Sequence, residues 1–247
     1  MASLLIVRPV TPAATNSGFA LTPNPKEGVS IAANTTSIFA YDFGTPAPSI
    51  DFAYVGYHSA AVGGGSSFTV AQSASYGGAN TTTLANAVSM APLGLGYPNH
   101  SIARFAPQSS RYLNLSIAAG SSAITVGVIM LGLTFQPTYG HEYGSGRLIT
   151  DTGSAERLFG GGFGIYEGER AGGWQWTLGD LTDAEVRTLY QLAKDRGATR
   201  SVLVVEDPDL TDGLNERIHW GLFSKLDAYE RFAPNATRWS LRIDDWA

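Results

Sequence analysis

The sequence predicts a mainly β protein: an N-terminal β-sandwich or jelly roll over residues 1–136, then a smaller β-rich domain over 137–247 holding one α-helix at about 182–196. Three observations carry this. Short apolar and β-branched runs recur at close intervals along the first half. Glycine, proline, serine and asparagine clusters separate them with similar regularity. The one segment with helical caps and period falls well after residue 137.

In the first half, LLIVRP (4–9), TSIFAYDF (36–43), IDFAYVGYH (50–58), SSFTVAQSA (66–74), SIARFAP (101–107) and RYLNLSIAA (111–119) read as strands. AITVGVIMLGLTF (123–135) reads as a buried strand or pair of strands. Alternation is strict in RYLNLSI, where Leu113, Leu115 and Ile117 face one way and Tyr112, Asn114 and Ser116 the other. The turns between them include GTPAPS, VGGGSS, YGGAN, PLGLGYPN and AAGSS. Polar, glycine-rich sequence after Gln136-Pro137 marks the expected boundary.

Beyond it, FGIYEGE (163–169), then WQWTL (174–178) after a glycine turn, SVLVVED (201–207), IHWGLFSKL (218–226) and TRWSLRIDDW (237–246) read as strands. The helix follows from LTDAEVRTLYQLAKDRG: Thr182 is an N-cap, Glu185 closes a capping box, and Gly197 ends it. Val186, Leu189, Tyr190 and Ala193 fall at i, i+3, i+4 and i+7, which predicts one apolar stripe.

Composition narrows the function classes. Charged residues are 15% of the chain, against roughly 25% in ordinary soluble domains. Such a surface suits burial against other subunits. The net charge of -5 leaves no basic stripe for nucleic acid. There is no cysteine, so thiolate chemistry and disulfides are excluded. The opening apolar run is too short for a signal peptide and the longest one too short to span a bilayer, so a protein made in the cytoplasm and not inserted in a membrane is expected.

No motif carries catalysis. His141-Glu142 lacks a second histidine at helical spacing, GGGFGIYEG lacks dinucleotide-binding spacing, and neither a nucleophile elbow nor a phosphate loop occurs. The chain is therefore expected not to be an enzyme and to need no cofactor. The acidic stretch VVEDPDLTDGLNERIHWG offers Asp207, Asp209 and Asp212 as weak metal candidates, but its register fails the EF-hand pattern. It reads as a solvated hairpin-like connection. Tyr57, His58, Tyr97 and His100 lie near strand ends or in loops of the first domain, where a sandwich exposes binding edges, and form a candidate carbohydrate site. Trp174 and Trp176 share a strand face with Leu178, as core or as a sugar platform.

Two resemblances add to this. The stretches SIDFAYVGYHSAAVGGGSSFTVAQSASYGG and SRYLNLSIAAGSSAITVGVIMLG resemble the galactose-binding-like, discoidin-type jelly roll. The second half, WQWTLGDLTDAEVRTLYQLAKDRGATRSVLVVEDP with RIHWGLFSKLDAYERFAPNATRWSLRIDDW, is similar to virion proteins of tailed bacteriophages. There a Trp-containing strand, a helix opening Leu-Thr-x-x-Glu and a strand ending in Asp-Pro recur. The resemblance implies a structural protein of a tail tip, baseplate or fibre attachment, located in the virion, contacting other tail proteins and copies of itself, with host-surface glycan as a further partner. A carbohydrate-binding module is the alternative, and a glycan depolymerase a third.

Overall fold

The computed structural model describes residues 3–21, 23–61, 63–90, 99–210 and 212–246. It is mainly β, and the described residues hold one α-helix. The chain divides into two compact units: a sandwich unit of Ile6–Phe135 with Pro208–Ile218, and a helix-bearing unit of Met1–Leu5, Gln136–Asp207 and His219–Ala247. The crossing at Phe135/Gln136 lies one residue from the expected division, and the chain crosses at three further places.

The sandwich unit contains β1 (Leu4–Pro9, from Ile6 onward), β2 (Ala14–Thr15), β3 (Val29–Ile31), β4 (Thr36–Asp42), β5 (Ile50–His58), β6 (Ser67–Ser73), β7 (Asn80–Ser89), β8 (Asn99–Gln108), β9 (Tyr112–Ala118), β10 (Ile124–Val126) and β11 (Val128–Phe135). One antiparallel sheet runs β1-β11-β5-β8 and the other β2-β4-β9-β6-β7, while β10 pairs with β3. The alternation read from 112–118 holds: Leu113, Leu115 and Ile117 are fully buried. They join Phe39, Tyr41, Phe68 and Val70 of their own sheet in one core with Ile50, Val55, Ile129 and Leu131 of the other. Two sheets burying facing apolar rows is what a sandwich requires. Asn114, on the opposite face, is buried as well, and its amide donates to Gly78 O and Asn80 Oδ1.

The helix-bearing unit contains β12 (Gly146–Asp151), β13 (Ser154–Arg157), β14 (Phe163–Tyr166), β15 (Arg170–Leu181), α1 (Asp183–Arg196), β16 (Val202–Glu206), β17 (Ile218–Leu226, from His219 onward), β18 (Glu230–Ala233) and β19 (Ala236–Asp245). Its sheet runs β12-β15-β19-β17-β16, with β18 also on β19, and β13 and β14 form a separate two-stranded ladder. Trp174, Trp176 and Leu178 of β15 are buried, opposite Ile243, Leu241 and Trp239 of β19, so the tryptophan pair is core. α1 packs on β15 and β19. Its capping box is complete: Thr182 Oγ1 accepts from Glu185 N, and Glu185 Oε2 accepts from Thr182 N.

Three sequence expectations change. The glycine turn before WQWTL is strand interior, because β15 begins at Arg170. A Cβ on Gly173 would come within 2.7 Å of Ile243 O, so glycine is there for close strand approach. FGIYEGE is strand only through Tyr166. In the helix, Leu192 joins Val186, Leu189 and Ala193 in the buried stripe, while Tyr190 stays exposed at its edge. The ring of Tyr190 engages Tyr229 and Trp239 there and stays about half exposed.

Candidate functional site

Of the predicted carbohydrate residues, Tyr57, His58 and His100 are drawn together at one end of the β5–β8 pair. Gly56 faces His100 and His58 faces Asn99, with an irregularity between them. At that irregularity Tyr57 takes the left-handed conformation, φ 54°. This is a strained state for a bulky residue. Its ring stands edge-on to His100 with centroids 5.0 Å apart. The Tyr54 hydroxyl and His100 Nδ1 are hydrogen-bonded at 2.8 Å, and His100 N donates to Asn215 Oδ1 at 2.6 Å. Glycine at 56 leaves room for the Tyr54 ring, which a Cβ there would run into.

His58 and His100 are interior groups, only 3% and 5% exposed, whereas Tyr57 is partly exposed. Tyr97 lies outside the described residues. His58 Nε2 is hydrogen-bonded to Ser101 Oγ at 3.0 Å, and its Nδ1 has no partner among the described residues. Burial pushes the His58 imidazole down to about 4, so it is neutral near pH 7. Burial of both imidazoles leaves Tyr57 as the open member of the three described residues.

The acidic stretch resolves into separate anchors. Asp207 Oδ1 accepts from Ser3 N at 2.7 Å while Asp207 N donates to Ser3 O at 2.9 Å, both within the helix-bearing unit. Asp209 pairs with Arg104 at 3.1 Å within the sandwich unit, and Asp212 is exposed. Among the described residues no three His, Asp or Glu side chains converge as a metal would need.

The fourth acid, Glu206, belongs to a constellation that sequence reasoning did not assemble. His219, 4% exposed, lies between two carboxylates, with Nε2 2.8 Å from Glu206 Oε1 and Nδ1 3.0 Å from Asp245 Oδ2. Arg147 Nε reaches the same Glu206 oxygen at 3.2 Å, and Trp174 stacks on the imidazole. Burial would lower the His219 pKa, but the hydrogen bonds and charges of Asp245 and Glu206 outweigh it and raise it to about 9. Burial would raise Glu206, yet hydrogen bonds from His219 and Arg147 hold it below the usual carboxylate value. With both ring nitrogens donating, His219 is a fixed imidazolium and has no lone pair with which to act as a base.

The helix-bearing unit also carries exposed aromatic surfaces. Around the β13–β14 ladder Leu158, Phe159, Phe163, Ile165 and Tyr166 are all exposed. Where α1 meets the β17–β18 connection, Tyr190 and Tyr229 open onto a groove of about 650 Å³. The sequence places Tyr190 on the helix stripe and Phe163, Ile165 and Tyr166 in a strand, and neither signal marks them as exposed.

No family model and no curated protein matches the sequence. Among solved structures, a chitosan-binding module derived from a chitosanase/glucanase of Paenibacillus sp. IK-5 has 11% identity and a TM-score of 0.34, over 51% of this chain and 99% of that one. A likeness that low carries no functional argument.

Proposed function

We propose that the chain is a non-enzymatic structural subunit of a bacteriophage tail assembly, at the tip, baseplate or fibre attachment. Its place is then the virion, and its partners are copies of itself and other tail proteins. The observation that carries the assembly role is the β13–β14 ladder. Its turn bears a fully exposed Phe159, and Phe163, Ile165 and Tyr166 are 63%, 71% and 70% exposed. Phe163 and Ile165 share one face of the ladder, and covering each such side chain is worth roughly 1.5–3 kcal/mol, a strong drive for association. The low charge content supports the same reading, and the phage tail as the setting rests on the resemblance of the second half.

Light scattering on the purified chain, together with mass spectrometry of purified particles, tests this. The chain is expected to self-associate or to be found in particles, and Phe159→Asp with Ile165→Asp to abolish that. A strict monomer absent from particles overturns the proposal.

A further inference from the structure

We infer that the groove bounded by Tyr190, Lys194, Asp227 and Tyr229 is a saccharide-binding site suited to a pyranose chain bearing a carboxylate. It is independent of the assembly role, which is read from mass and not from sugar titration.

The first argument is preorganisation. Tyr190 and Lys194 stand four residues apart on one face of α1, whose start is set by the complete capping box. Tyr229 comes from the β17–β18 connection. The two tyrosine rings meet at 84° with centroids 6.3 Å apart and form a corner. Each also packs on Trp239 of β19, at 6.5 Å and 5.5 Å. Trp239 is buried, and its Nε1 donates to Asp227 O at 2.8 Å, so the base of the corner is locked. The tyrosines remain 47% and 45% exposed. Rings held on one side and open on the other lose little freedom when a ligand stacks on them.

The second argument is the polar set. Among the described residues the Lys194 ammonium and the phenolic hydroxyls of Tyr190 and Tyr229 have no intramolecular partner. Asp227 pairs through Oδ2 with Lys225 at 2.8 Å, which neutralises it. Lys194 is thus the uncompensated charge of the groove. An apolar protein surface seated here would bury these donors unpaired, a loss of roughly 1–3 kcal/mol for each. A sugar ring meets both demands: its C–H face stacks on the aromatic corner, and its hydroxyls reach the phenols and Asp227. A carboxylate on the ring answers Lys194.

The test titrates the whole chain with trigalacturonate and with maltotriose, each to about 10 mM, following tryptophan fluorescence and amide NMR shifts. Trigalacturonate is expected to bind the more tightly and to shift signals around Trp239. Tyr190→Ala and Tyr229→Ala should each weaken it by about tenfold, with circular dichroism unchanged because both rings are surface groups. Lys194→Met should bring trigalacturonate to the level of maltotriose. The inference is overturned if neither sugar binds, or if both tyrosine variants bind as the parent does. It is equally overturned if Lys194→Met leaves the acidic preference intact, or if the tyrosine variants change only self-association, which would make the groove a protein-docking face.

Discussion

In the sandwich unit His58 is buried beside a hydroxyl and is neutral, whereas in the helix-bearing unit His219 is equally buried between two carboxylates and is charged. Their pKa values move to about 4 and about 9. Burial acts in the same direction on both rings, so the partner atoms decide the sign. One unit therefore tolerates alkali and the other tolerates mild acid. The contrast is measurable because all five tryptophans, 174, 176, 220, 239 and 246, belong to the helix-bearing unit. Tryptophan fluorescence follows that unit alone.

The strongest way to break the contrast is His219→Ala, which leaves Asp245 largely buried without its cation and Glu206 with Arg147 alone. We expect a loss of about 3 kcal/mol or more in urea unfolding followed by tryptophan fluorescence. Adding Glu206→Gln should recover part of it, and a loss no larger in the single variant than in the double would show the triad to be inert.

Next in size is pH. The folded pKa of His219 lies above the ordinary 6.5, so its stabilisation is complete below pH 6.5 and disappears as pH rises through about 9. It amounts to roughly 3 kcal/mol between pH 6.5 and 10. The folded pKa of His58 lies below 6.5, so the unfolded chain takes up the proton first and the sandwich weakens as pH falls from 6.5 toward 4. Hydrogen exchange in β9 should report that loss, at roughly 2 kcal/mol, and His58→Gln should remove it. Glu206 weakens the helix-bearing unit only at lower pH, as it protonates below the ordinary carboxylate range. Identical pH profiles for the two units would dismiss the comparison.

Smaller still is Thr182→Ala, which removes the N-cap oxygen of α1 and should cost about 1 kcal/mol by the same fluorescence measurement. Smallest is Arg104→Ala. Its pair with Asp209 is solvent-exposed on both sides, and a change under about 0.5 kcal/mol in β9 exchange is expected.

Much of this architecture was legible in residue order. Alternation at 112–118, the capping box at Thr182 and Glu185, and the Asp-Pro ending after Glu206 are local signals, and local signals survive without knowledge of the fold. β7 was not legible, because NTTTLANAVS offers only Leu84, Ala85 and Val88 to the core, none of them fully buried, beside its main-chain pairing with β6. Gly172 and Gly173 read as a turn because only the approach of β19 explains them.

The site residues divide on the same line. Tyr57, His58 and His100 are marked by type and position as a cluster, and β5–β8 pairing does gather them, but burial of both rings depends on what packs above that sheet end. His219 meets acids 13 and 26 residues away, and Tyr190 meets rings 39 and 49 residues away. Periodicity, caps and turn chemistry act over a few residues and can be read in order along the chain. Charge partners and the exposed side of a ring are set by chain closure over tens of residues, where loop entropy and packing, not neighbouring sequence, choose which groups meet.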